Sequence, residues 1–149
     1  MSKTAIIGAL IFALTLTGCG GLNGMGNGNI DGYWTATLTD SDGLPVIAFQ
    51  TQFTQGNGSI LNVVNFSFTN AGTCFASQET TETGSFSFQG DFHGHVSGAF
   101  DMTIQTTGAD KIVLKLHGTV QDGKITGTWT LTGSVGCTGN GVFAMTPGW

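Results

Sequence analysis

Between Asp31 and Trp149, apolar side chains recur at every second position in short runs separated by turn residues, and no stretch carries the three-to-four-residue spacing of an amphipathic helix. The first run shows the rule: Trp34, Ala36 and Leu38 fall on one face, and Thr35, Thr37 and Thr39 on the other. Successive strand side chains point to opposite faces, so a run of this kind buries one face and wets the other. The pattern predicts eight strands, near residues 32–39, 45–54, 59–68, 84–90, 95–106, 111–120, 124–133 and 140–146. Their inward positions include Ile47, Phe49 and Phe53, then Val64, Phe66 and Phe68, then Phe86 and Phe88. Phe100, Met102 and Ile104 follow, then Leu114 and Leu116, Ile125, Trp129 and Leu131, and finally Phe143 and Met145.

Most connections are tight, and Asp122-Gly123 is the strongest turn signal, because a type I′ hairpin wants positive φ at both central residues. Short connections between consecutive strands mean antiparallel neighbours and an up-and-down meander. Such a sheet keeps two bare edges unless its last strand meets its first, and closure removes that liability. The expected fold is therefore all-β, an eight-stranded antiparallel up-and-down barrel over residues 32–149, with a β-sandwich of the same strands as the alternative.

In an up-and-down barrel alternate connections share one end. Cys74 lies between strands three and four and Cys137 between strands seven and eight, so both fall at the same end and a disulfide between them is allowed. Two unpaired thiols are the alternative.

Three glycines, Gly98, Gly118 and Gly127, sit at inward positions. Pairing across Asp122-Gly123 sets Gly118 opposite Gly127, with Gly98 diagonal to them. The patch implies sharp curvature or room for a bulky ring; alternatively it is a hollow for a ligand, lined by Trp34, Phe66, Phe100 and Trp129 together with the three glycines.

The amino terminus is of another kind. Lys3 precedes an uncharged run, Ala5–Leu16, of twelve residues, well short of the about 20 that a membrane span needs. It ends in Leu16-Thr17-Gly18-Cys19, which resembles the lipobox of bacterial lipoprotein signal peptides. The resemblance implies removal of residues 1–18, acyl chains on Cys19 and, with Gly20 next in the chain, sorting to the outer membrane. Residues 19–31 are rich in glycine and asparagine, and a coil of that length reaches about 20 Å. They read as a flexible tether.

Gly32-Tyr33-Trp34 resembles the opening G-x-W of calycins, the lipocalin and avidin-like barrels. The resemblance covers Gly32 and Trp34, and implies that Trp34 closes one end of a barrel holding an apolar small molecule. The chain departs from lipocalins in lacking a TDY-like second motif and a late arginine; it contains no arginine.

Composition narrows the partners. Beyond residue 18 only Lys111, Lys115 and Lys124 face nine acids, a net charge of −6, so no basic surface exists for nucleic acid. His93 and His95 invite a metal reading, but His95 and His117 have outward parity. If Phe100 stands opposite position 117, His95 lies roughly 17 Å from His117 along the sheet. Glu79 and Glu82 fall in the long loop holding Cys74, and no serine has a base at a telling position. The reading is of a monomer without cofactor or metal and without catalytic function. It binds an apolar or uncharged small ligand, or else serves as a solid structural or interaction protein of the envelope.

Overall fold

The structure, a computed structural model, describes residues 28–92 and 94–148. The lipobox, Cys19, most of the tether, His93 and Trp149 lie outside the described residues.

Eight strands form one closed barrel in sequence order. They are β1 (Gly32–Asp40), β2 (Pro45–Gln55), β3 (Ile60–Asn70), β4 (Thr80–Phe92), β5 (His95–Thr106), β6 (Val113–Gln121), β7 (Lys124–Thr132) and β8 (Gly139–Pro147). Closure is made by β1 and β8, antiparallel from Trp34 opposite Pro147 to Asp40 opposite Gly141. That pairing excludes the sandwich. The connections β1–β2, β3–β4, β5–β6 and β7–β8 gather at one end, the upper pole. The chain enters and leaves at the lower pole, where Gly148 N–H donates to the Tyr33 carbonyl.

The interior is the predicted apolar face. Trp34, Phe49, Phe53, Phe100, Ile104 and Leu114 are fully buried within one cluster that spans the barrel. Phe100 bridges Phe53 and Phe143, with ring centroids 5.7 and 6.2 Å away. The outer faces of β1 and β7 carry threonines instead, Thr37, Thr126, Thr128 and Thr130 being exposed. Polar outside and apolar inside is the reverse of the alternation that a bilayer-spanning barrel requires.

Several local expectations are corrected. In β3, Asn65 has φ +51° and the register slips by one residue against β2, between the pairs Gln50–Ser67 and Gln52–Val64. This bulge inverts the parity of everything before it. Leu61 and Val63 consequently turn inward, and Val64 is 38% exposed. Phe88 also misses the core, being 51% exposed beside Gly28 at the lower pole, next to a second register shift in β4. Glu82 lies in β4, not in a loop, paired with Ile104, and Thr80 Oγ1 donates to its carboxylate. The β5–β6 pairing places Phe100 opposite Gly118 and Asp101 opposite His117, one residue from the predicted register. The wall is weakest between β3 and β4, whose pairing comprises Ile60–Ser85 and Leu61–Gly84. Beside that seam, Phe75 of the connecting loop is buried and stacks on Phe68 at 5.2 Å.

Candidate functional site

The two poles close differently. At the lower pole Ile30, just before β1, is fully buried, and its carbonyl accepts from Trp34 Nε1–H at 2.9 Å. An indole N–H must find a partner when buried, and the chain turning in at Ile30 supplies it while sealing the end. Asp31 ties this turn to β2, its Oδ1 accepting from Gln55 N–H at 2.6 Å.

At the upper pole a cavity of about 540 Å³ opens among the β1–β2 turn, the β3–β4 loop and the β7–β8 loop. Val46, Ile47, Trp129, Leu131 and Cys74 give it apolar walls, while Asp40, Ser41, Thr73, Thr138 and Asn140 form its polar edge. This is within the usual size range for small-molecule pockets, about 300–1,000 Å³.

Local chemistry builds each wall. Trp129 points inward from β7 and lies across β8, where Gly139 and Gly141 leave it space. A Cβ at Gly141 would approach Trp129 Nε1 to 2.8 Å and run into the Thr39 carbonyl. The glycine therefore lets Trp129 Nε1–H reach over β8 and donate to that carbonyl on β1, at 2.9 Å. The β1–β2 turn is held by Asp40, whose Oδ1 accepts from the backbone N–H of Asp42 and of Leu44, both at 2.9 Å, with Gly43 at φ +79°. Cys74 and Cys137 are joined in a disulfide, Cα atoms 5.6 Å apart, which ties the two loops to one another beside the cavity.

Of the seven residues expected to line a ligand space, Trp129 alone borders this cavity. Trp34 and Phe100 are in the packed interior. Phe66 is half-buried on β3, packed against Phe49 at 5.1 Å and Phe68 at 4.9 Å. The glycine patch is occupied by rings. A Cβ on Gly98 would come within 2.6 Å of Phe86 Cε2, and one on Gly118 within 2.9 Å of Phe143 Cζ. Gly127 faces Gly118 across β6 and β7 as expected, in a pairing too close for a side chain. The interior around these residues is packed, and the cavity lies at the mouth instead.

Two groups do not join the site. His117 Nδ1 and Asp101 Oδ1 are 2.6 Å apart on the outer wall, both largely exposed, and an exposed pair of this kind adds little stability. Among the described residues no group of three or more His, Cys, Asp and Glu side chains is placed to hold a metal ion.

The upper-pole cavity has elements that sequence reasoning missed. Ile47 and Leu131 have the parity of core residues and Val46 that of the outer face, and nothing in their order marks them as lining a mouth. Gly139 and Gly141 carry a signal, a glycine pair at inward positions opposite a tryptophan, which is the notch that an indole needs. Compared with protein-family models, with curated proteins and with solved structures, the chain matches none.

Proposed function

We propose that the chain is a lipid-anchored lipoprotein of the bacterial envelope, sorted to the outer membrane, and that its barrel is a non-catalytic binding module for an apolar or uncharged small ligand. The observation that carries the reading is the upper-pole cavity, about 540 Å³ with apolar walls and a polar edge, kept open by a disulfide and a tryptophan seated across a glycine notch. Polarity along the barrel supports it. The chain enters at Gly28–Asp31 on the lower pole, so an anchor at Cys19 would sit beneath the sealed end and the cavity would face away from the lipid. Trp34 sealing that lower pole fits the resemblance of Gly32-Tyr33-Trp34 to calycin barrels, while the filled interior departs from the lumenal sites of that family.

The filled interior also favours a second reading, a structural or interaction lipoprotein with no ligand. One experiment separates them. Native mass spectrometry of the protein purified from its own host should show a co-purifying small molecule, and Ala71→Trp, which introduces a bulky ring at a residue that lines the cavity from the β3–β4 loop, should lose it without losing the fold. A wild type with the mass of the lipidated polypeptide alone, under conditions that preserve non-covalent complexes, would favour the structural reading. The anchor is checked separately: radiolabelled palmitate should enter the wild type and not Cys19→Ala.

A further inference from the structure

The upper cavity is charged on one side only. Among the described residues, Asp40 is the single charged residue that lines it, in company with Val46, Ile47, Trp129 and Leu131. The connections at the same pole add Asp42, Glu79 and Asp110 against Lys111, so the surrounding field is also negative. Asp40 is held in place: the two backbone N–H groups of its own turn occupy Oδ1, and Oδ2 takes no part in those bonds. A carboxylate oriented in advance loses little freedom when a ligand arrives. From this geometry we infer that the cavity selects molecules bearing an ammonium group on an apolar body, and rejects carboxylates of the same shape. This rests on the binding reading above and gives it a ligand class.

The size of the preference follows from Coulomb's law. Opposite charges about 4 Å apart at a wet, half-open site gain about a factor of ten in affinity, and a carboxylate loses a comparable factor. Calorimetric titration of the purified full chain with hexylammonium, hexanol and hexanoate reads this directly, the three probes sharing one tail. In the wild type hexylammonium should bind about tenfold tighter than hexanol, with hexanoate weakest. Asp40→Asn keeps an Oδ1 to accept from Asp42 and Leu44, so the turn survives while the charge is removed. In that variant the three probes should fall within about threefold of one another.

Salt gives a second measure that needs no variant. Raising ionic strength from about 0.01 M to about 0.15 M shortens the Debye length from about 30 to about 8 Å and should shrink the ammonium preference. If Asp40→Asn proves unstable, this dependence decides. Hexanoate binding as tightly as hexylammonium, or an ammonium preference that survives both Asp40→Asn and salt, would overturn the inference and leave the binding reading standing. Failure of all three probes to bind would overturn the binding reading, and the ligand class with it.

Discussion

The two poles of this barrel use the same device to different ends. Each has an inward tryptophan whose indole N–H donates, at 2.9 Å, to a backbone carbonyl of β1 or the turn leading into it: Trp34 to Ile30 below, Trp129 to Thr39 above. Below, the accepting residue folds over the ring and is itself fully buried, so the end is sealed. Above, the ring crosses a glycine notch to reach β1, and three connections stand around it without filling the space. The bond alone does not close a barrel end; what the neighbouring chain does beyond it decides. The lower pole resembles core, and the upper pole a frame held open by a covalent tie.

The largest effect should come from the tryptophans. Trp34→Ala removes a ring packed on all sides and should cost about 5 kcal/mol in urea unfolding, at the upper end for such a truncation. Trp129→Ala should cost about 3 kcal/mol, because one side of the ring already borders a cavity. Equal costs would mean that the poles are packed alike. Next is the tie itself. Replacing Cys74 and Cys137 together by serine frees a chain segment with a sequence separation of 63 and should lower stability by about 4 kcal/mol in the chain-entropy account. Hydrogen exchange in this variant should rise most in the β3–β4 and β7–β8 loops, and little around Ile30 and Trp34.

Smaller effects probe the wall between the poles. Gly118→Ala would press a methyl group against the Thr126 carbonyl and Phe143 Cζ, and should cost about 2 kcal/mol by thermal or urea unfolding. A neutral result would show that the patch keeps free space and would reopen the lumen as a ligand site. Smallest is Val64→Ser, expected to change stability by less than about 0.5 kcal/mol, with Val63→Ser costing more because the Asn65 bulge turns that side chain inward. Reversal of the two would restore the unbulged register.

The strand count, the closure and the disulfide were legible because period-two alternation and loop parity are global properties, tolerant of small local errors. The local errors share a physical cause. Val63 and Val64 are both apolar, so an inserted residue in β3 leaves no mark on the pattern, and only the backbone at Asn65 reveals it. The start of β4 reads as loop in Thr80-Thr81-Glu82-Thr83, yet pairing with β5 holds it as strand. The β5–β6 connection is longer than a tight turn: Thr106 Oγ1 accepts from Ile112 N–H and donates to the Asp110 carbonyl, a bridge that shifts the hairpin by one residue. At the site, parity correctly turned Trp129 inward but did not say at what height a side chain stops being core and becomes mouth. That depends on how three separate connections stand above it, a long-range arrangement that no short window of sequence encodes.

The contrast between the poles is tested most directly by the indole N–H resonances of Trp34 and Trp129 in an NMR titration with hexanol. The account predicts that the Trp129 signal moves in step with the backbone amides of Gly72, Gly136 and Gly139, which border the cavity, while the Trp34 signal stays fixed. A Trp34 signal that moves, or a Trp129 signal that does not move as those glycines saturate, would contradict it.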